Sequence, residues 1–486
     1  MFVAAVPGLD LGPRVGHAQD PSCFVRRQGS VFLLNGCPFR FAGTNSYYQM
    51  IHRRGTDRAG VNEVLDEMAA RGMTVVRTWA FQDDASRSDC LQCAPARQLR
   101  ANERPIQFIN EATFRGLDEF LEKARTLRLR VVLALTNHWS DFGGMRRYVL
   151  WRFGNTVEGV YAFYNDPVIR EWFREYTTLI VNRRNTVNGR IYRDDPTILA
   201  WELANEPRCA DPMCATDNSL DEWIAEMSCL IKSLDPNHLV TTGMEGFFGP
   251  SRAVRNTDSW MANEGQDFLD NHAHPCIDFA TFHVWPQNWG WDPIGNTEGA
   301  LDRARAYTDE RIWTAHVELE KPVVLEEFGV PRDSFSTCPN LSSATTRDTF
   351  YGQYYSICEQ WAQGSDACAG TLNWMVYDAA SCAYDDGNGV FLPDDVSTDE
   401  MMTQHAHSFG TCAGTMPESD TCRPGGDVDF DCDVDLVDLR RFAACLSGPA
   451  PAKLSAPCSL VDPEEDGDAD LKDFAALQRA FSGTCP

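Results

Sequence analysis

The sequence predicts an α/β chain, a (β/α)8 TIM barrel over residues 23–412 followed by a small all-α module built on two acidic loops over 426–486. Three observations carry this. Eight short apolar runs alternate with helical patterns between residues 40 and 378. Polar and aromatic residues collect at the C-terminal ends of seven of those runs. Near the C-terminus an acidic loop-and-helix pattern occurs twice, offset by 35 residues. With 486 residues, 43% of them hydrophobic and 11% aromatic, the chain has ample material for a large core.

The elements follow in order. Met1–Ala18 has no basic start, and Pro7, Gly8 and Asp10 interrupt its apolar run. Gly16-His17-Ala18 ahead of Gln19 has the small residues of a cleavage site, so residues 1–22 read as an incomplete leader or a disordered arm. The eight runs are Phe41–Tyr47, Thr74–Phe81, Arg130–Asn137, Ile198–Pro207, Leu239–Gly246, Asp278–Pro286, Pro322–Gly329 and Gly370–Asp378. Val61–Arg71 and Thr113–Leu127 space their apolar residues by three and four, as helices do. Near-continuous apolar strands separated by helices imply a parallel sheet buried on both faces. Eight such units make a closed barrel whose site is built at the C-terminal ends of the strands. Residues 413–425, small and polar without period, read as a linker.

The composition excludes some partners. Against 70 Asp+Glu stand 43 Lys+Arg, a formal charge of −27, which repels nucleic acid and anionic membrane surfaces. Apolar runs such as Val131–Leu135 are far shorter than the ~20 residues that cross a bilayer. The chain has 18 cysteines. Cys90-x-x-Cys93 is the one close pair with a zinc-like spacing, and no second CxxC or HxxxH accompanies it. Disulfides in an oxidising, extracellular setting account for the set better. Parity leaves the pairing open, since a cut after Cys412 gives 13 and 5 cysteines and a cut before it 12 and 6.

Two acidic motifs close strands on opposite sides of the predicted barrel, Trp201-Glu-Leu-Ala-Asn205-Glu206-Pro207 on the fourth and Val323-Val-Leu-Glu-Glu327-Phe-Gly329 on the seventh. Two carboxyl groups facing each other over a cleft suit retaining glycoside hydrolysis, which places them ~5–5.5 Å apart. One attacks as a nucleophile, while the other holds a proton and donates it to the leaving oxygen. A carboxyl beside another carboxylate and apolar walls keeps its proton, and one beside Arg stays ionised. Arg77 is the candidate that keeps the nucleophile charged. Asn205 and His283 are candidates for orientation and for contact with sugar hydroxyls.

Asn205-Glu206-Pro207, Glu327-Phe-Gly329, Arg77 and His283 together resemble clan A glycoside hydrolases of family 5, and most closely the endo-β-1,4-mannanase branch. The stretch from Tyr192 to Arg208 is similar to that branch nearly residue for residue. So are Leu135–Trp139 with Phe142-Gly-Gly144, Gly243–Phe247 and Phe279–His283, and the match covers about residues 38–378. The resemblance implies Glu206 as acid/base and Glu327 as nucleophile. Its binding set is Arg77, Trp79, Asn137, Trp139, Asn205, Arg208, Glu245, His283, Trp285 and Trp374, with Arg208 reaching sugar beyond the cleavage point. Glu326 is expected to point to the opposite strand face from Glu327, and Glu202 to be a buried structural carboxylate. Trp285 stands where the family usually has tyrosine. An indole N–H donates but does not accept, which puts the nucleophile's hydrogen bonding in question.

In the C-terminal repeat, acidic residues fall at loop positions 1, 3, 5, 9 and 12. They are Asp427, Asp429, Asp431, Asp435 and Asp438 in the first copy, and Asp462, Glu464, Asp466, Asp470 and Asp473 in the second. That spacing wraps a loop around a hard cation such as Ca2+, which takes six to eight oxygens at ~2.3–2.6 Å. The repeat resembles dockerin modules, which implies structural Ca2+ and a cohesin-like partner. Two departures are Cys432 at the usual position-6 glycine and Glu464 in place of a shorter acid. The whole reading is a secreted, retaining endo-β-1,4-mannanase acting on mannan, glucomannan or galactomannan, with no cofactor for catalysis. The alternatives are an endo-β-1,4-glucanase on the same fold and a non-catalytic carbohydrate-binding protein.

Overall fold

The computed structural model describes residues 24–51, 59–83, 89–94, 109–334, 336–338, 342–377 and 385–410. The leader (1–22), the linker (413–425) and the acidic repeat with all its ligand candidates lie outside the described residues. Eight strands correspond to the eight apolar runs: β1 (Phe41–Asn45), β2 (Val75–Trp79), β3 (Arg130–Ala134), β4 (Ile198–Glu202), β5 (Leu239–Thr241), β6 (Ala280–Val284), β7 (Val323–Phe328) and β8 (Gly370–Asn373). They form one parallel sheet in the order β5-β4-β3-β2-β1-β8-β7-β6. Its two end strands also meet. Asp278 N donates to Val240 O at 2.8 Å and His283 N to Glu245 O at 3.0 Å, while Thr241 Oγ1 donates to Phe279 O at 2.9 Å. The sheet therefore closes on itself as a barrel.

The runs are longer than the strands they contain. Ile198–Pro207 yields β4 over Ile198–Glu202, and Leu203–Pro207 leaves the ladder to build the barrel mouth. Strand residues are buried on both faces, in β2 and β6 throughout, because the inward face fills the barrel and the outward face meets helices. Helix Glu111–Thr126 shows how those helices are set. Asn110 caps it by accepting from Ala112 N at 3.1 Å. Phe114, Leu117, Phe120, Leu121 and Ala124 form its buried stripe.

The other end of the barrel is plugged. A small antiparallel sheet (Arg26–Gln28, Val31–Leu34, Cys37–Pro38) carries Phe32 into a buried cluster with Phe39, Phe41, Val132, Leu239 and Phe279. Ring pairs Phe32–Phe279 at 5.2 Å and Phe39–Phe41 at 5.8 Å hold it there. Ligands accordingly enter from the C-terminal ends of the strands.

Disulfides join Cys90–Cys93, Cys209–Cys214, Cys229–Cys276 and Cys358–Cys368. Cys338 is also oxidised, and Cys37 is an exposed thiol. The CxxC pair is thus a disulfide and not half of a zinc site. No helix among the described residues is long and apolar enough to cross a membrane.

Candidate active site

A cleft of about 760 Å³ opens at the C-terminal ends of the strands. Glu206, Glu327, Trp79, Asn137, Trp139, Asn205, Arg208, Glu245, Trp285 and Trp374 all line it. Arg77 and His283 do not. They lie one layer below, so the expectation that they touch sugar is corrected. Arg77 is buried, and its donors are engaged inside the protein. Nε and Nη2 form a two-point pair with Glu202 at 2.6 Å each, Nη1 reaches Asn45 Oδ1 at 2.9 Å, and Nη2 reaches Asn205 Oδ1 at 2.7 Å. Nη1 also pairs with Glu327. A guanidinium taken wholly out of water must be satisfied in this way, which leaves it nothing to offer a ligand. Glu202 is the structural carboxylate expected.

His283 stands between the two acids. Its Nδ1 lies 2.8 Å from Glu206 Oε1 and 3.3 Å from Glu327 Oε2. One carboxylate oxygen of each glutamate and a His283 ring nitrogen fall within 4.8 Å of one another. Glu206 is held at a left-handed φ of 49°, a region that side chains other than glycine rarely adopt. Its N–H donates to Gly243 O at 2.8 Å. Gly243 is itself at φ +78°, and a Cβ there would lie 2.1 Å from Ala204 O and 2.2 Å from Glu202 Oε1. Both halves of this close approach are thereby fixed, and Glu206 Oε2 faces the cleft, accepting from Trp139 Nε1 at 2.6 Å.

On β7 the register against β6 shifts between Leu325 and Glu327. This bulge overturns the expectation for Glu326. A bulge breaks strict alternation, so Glu326 does not leave the site. It is buried with Oε2 3.4 Å from His283 Nε2 and Oε1 3.8 Å from Arg77 Nε. Glu327 reaches the cleft. Trp285 Nε1 donates to Glu327 Oε2 at 3.2 Å, so the indole in the tyrosine position still hydrogen-bonds the carboxylate.

The protonation pattern differs from the one expected. Burial disfavours the charge on Glu206, but the His283 hydrogen bond and charge, helped by Arg208 and Trp139, overcome it and hold the carboxyl at about 2. Burial raises Glu327 above the usual carboxylate range despite His283 and Arg77, and Glu206 pushes the same way. Burial would lower His283, yet Glu327, Glu206 and Glu326 together raise it to about 10. In the ligand-free site, then, the proton on the acid side belongs to the His283–Glu206 hydrogen bond and rests on the imidazole. The residues named as neighbours did not reveal this, because the imidazole's place between both acids is a tertiary fact.

The cleft walls are aromatic. Trp374 stacks on Tyr47 at 5.5 Å, meets Trp285 edge-on at 5.7 Å, and donates its N–H to Asp386 Oδ2 at 3.1 Å. Trp79 is mostly core, 4% exposed and packed on Tyr47 and Phe81 at 4.8 and 5.0 Å. Glu245 lines the wall, but its oxygens are engaged by Arg208 and by Gln266 Nε2 at 2.7 Å. Arg208 is in turn held by Glu264 at 3.0 Å and lies over the Trp139 ring at 5.2 Å. Asn137 and Asn205 tie β3 to the β4 loop through a 3.0 Å side-chain bond. Tyr47, Trp260, Trp289, Tyr377 and Asp386 also line the cleft and were not among the expected residues. The signal for Trp260 and Trp289 was an indole inside a polar loop segment, outside every apolar run. Two carboxyls this close, one backed by an arginine and both sharing an imidazole, fit double displacement at a glycosidic carbon.

Residues 22–388 match the family described as "GH family 5 beta-mannosidase-like". The chain is 37% identical over 392 residues to the putative mannan endo-1,4-beta-mannosidase 5 of Oryza sativa subsp. japonica, covering 79% of this chain and 76% of that protein. It is 34% identical over 403 residues to mannan endo-1,4-beta-mannosidase 1 of Solanum lycopersicum, covering 81% and 94%. Among solved structures it is similar to the endo-beta-1,4-mannanase of Thermotoga petrophila, with 31% identity, TM-score 0.64 and 80% of each chain covered. The endo-1,4-beta-mannanase of Rhizomucor miehei shares 30% identity at TM-score 0.64, covering 79% of this chain and 99% of that one.

Proposed function

The chain belongs to the family 5 β-mannosidase-like glycoside hydrolases, and on that premise we propose that it is a secreted, retaining endo-β-1,4-mannanase that cleaves internal linkages of mannan, glucomannan or galactomannan. The reading rests on Glu206 and Glu327 at the floor of an indole-lined cleft, with a His283 ring nitrogen from the layer below and one oxygen of each glutamate within 4.8 Å of one another. Glu327, gripped by Arg77 and the Trp285 N–H, attacks the anomeric carbon. Glu206 delivers the proton to the leaving oxygen. A covalent glycosyl-enzyme results; water then gives a proton to Glu206 as base, attacks the anomeric carbon and displaces the Glu327 carboxylate, releasing the sugar with retention. Sugar filling the cleft covers the part of the Glu206 side chain, 10% of it, that is still exposed. Desolvation favours its neutral form, so the proton shifts along the 2.8 Å bond from His283 to Glu206. Reducing ends released from galactomannan and from carboxymethylcellulose test the substrate. Galactomannan is expected to be cleaved strongly, and release from cellulose alone would overturn the proposal.

The pH profile follows from the same cluster. Glu327 must be ionised, so kcat/KM falls as pH drops through its raised value. The donated proton persists until pH rises through that of His283, about 10 in the ligand-free site. His283→Asn removes that reservoir, and the alkaline limb is expected to move to lower pH. An alkaline limb in its wild-type place would show that the imidazole does not hold the proton.

The ten acidic residues at positions 1, 3, 5, 9 and 12 of the two loops are a donor set of the kind Ca2+ selects, and we propose a calcium-folded, dockerin-like module that takes a cohesin-like partner. Mutually repelling acids fold only around the cation. Calorimetry of the full chain is expected to show a transition that moves to lower temperature with chelator, and identical traces with calcium and chelator would contradict the module. The disulfides support an oxidising, extracellular location.

A further inference from the structure

Two consecutive acids close β7, and the double displacement uses only the second. Glu326 is wholly buried below the cleft. The bulge between Leu325 and Glu327 keeps it on the side of the site, and Asn45 on β1 holds the bulge there. Asn45 Nδ2 donates to Glu326 O at 2.9 Å, and its Oδ1 accepts from Arg77 Nη1 at 2.9 Å. The Glu326 carboxyl thereby meets the far nitrogen of the imidazole. His283 Nδ1 serves Glu206 and Glu327, while Nε2 has Glu326 Oε2 at 3.4 Å, a long contact of the kind that tightens when substrate binds. A ring with partners on both nitrogens is fixed in orientation. The partner at one nitrogen also decides which of the two keeps the hydrogen when the ring is neutral.

A second observation is independent of that contact. Buried carboxyls normally have their oxygens satisfied, and Glu202, at the same depth, has both on Arg77 at 2.6 Å. Glu326 differs. Its Oε1 makes no hydrogen bond among the described residues and has Arg77 Nε only at 3.8 Å. A group kept for structure alone would not leave a buried oxygen bare, whereas one kept for the imidazole needs only Oε2. Around His283 stand Glu202 and Glu206 from β4 and the segment after it, Glu245 after β5, and Glu326 and Glu327 from β7. Arg77 and Arg208 are the cations paired with these acids. Of all of them, Glu326 alone meets Nε2. The proton count then gives it a role. In the first step the Nδ1 proton passes to Glu206 and on to the leaving oxygen, and the imidazole is left neutral with its hydrogen on Nε2. In the second step Glu206 takes a proton from water and returns it to Nδ1. The Nε2 hydrogen stays throughout, and Glu326 is its acceptor.

We propose that Glu326 is a positioning residue for the acid/base, holding the Nε2 hydrogen on His283 so that Nδ1 is the nitrogen that gives and regains the proton of Glu206. The inference rests on the mannanase reading, and a measurement without sugar separates the two. Full-length wild type, Glu326→Gln and Glu326→Asp carry histidine labelled in the ring, and the His283 signals, one set among ten histidines, are identified by their loss in His283→Asn. By NMR the ligand-free wild-type ring is expected to titrate at about 10 and, above that, to keep its hydrogen on Nε2. Glu326→Gln keeps an acceptor of the same shape without the charge, and its His283 is expected to titrate about one pH unit lower. The alkaline limb of kcat/KM on galactomannan is expected to move with it, through kcat more than KM, while the glycosyl-enzyme still forms on Glu327. Glu326→Asp keeps the charge on a shorter arm and is expected to fall between. A His283 titration unmoved in Glu326→Gln overturns the role, and so does a neutral wild-type ring with its hydrogen on Nδ1, a readout that needs no variant to fold. A wild-type enzyme that leaves galactomannan uncut overturns the mannanase reading instead.

Discussion

Glu327→Ala is expected to lower kcat on galactomannan by roughly 10⁴-fold or more, because no glycosyl-enzyme forms without the attacking carboxylate. Glu206→Ala is expected to lose as much on the polymer but far less on an aryl β-mannoside, whose leaving group departs without a proton. The two variants also part with azide. In the Glu327 variant the small anion enters from the nucleophile's side and yields the inverted mannosyl azide, and in the Glu206 variant it attacks the glycosyl-enzyme and yields the retained one. Product stereochemistry read by NMR checks the assignment. Identical azide products from both variants would reverse or remove it. Glu326→Gln is expected to form the glycosyl-enzyme still, since Glu326 lies below the cleft against His283 and Arg77, and to change the pH profile through His283.

Arg77→Met is expected to carry the largest cost to folding. Arg77 is the cation for Glu202 and Glu327 and lies 3.8 Å from Glu326. Removing one partner of a buried ionic cluster typically costs about 3–5 kcal/mol, because the charges left behind stay out of water. Urea unfolding at neutral pH measures it. The sign with pH is fixed. In the variant the stranded carboxyls have folded-state values above their unfolded ones, so the deficit is full above those values and shrinks as pH falls through them and the acids take up protons. Arg77→Lys keeps the charge but not the planar fork that meets Glu202 at two points and Asn45 and Asn205 besides, so it is expected to fall between. Stability equal to wild type in the methionine variant would mean the cluster is not held by this cation.

Much of the barrel was legible because its strands are buried on both faces. That burial forces apolar runs such as Arg130–Ala134 and Val323–Phe328 that no solvent-facing sheet would tolerate. The acidic pair was legible for a related reason, since charges at the ends of apolar strands have few other uses. Depth was not legible. Arg77 and Trp79 are two residues apart on β2, yet one lies under the floor and the other on it. Glu326 was misplaced because strict alternation was assumed where β7 carries a bulge. Trp260 and Trp289 sit in irregular loops, where no period relates a residue to a face, and only the closed barrel brings them to the same wall.

In the proposed double displacement Glu327 forms the covalent bond while Glu206, across the same linkage, handles the proton. A 2-deoxy-2-fluoro-mannosyl donor with an activated leaving group traps that intermediate, because the fluorine slows its hydrolysis more than its formation. Peptide mass spectrometry of the trapped full-length enzyme is predicted to place the sugar on Glu327. A label on Glu206 or Glu326, or an active enzyme that never carries one, would contradict the account.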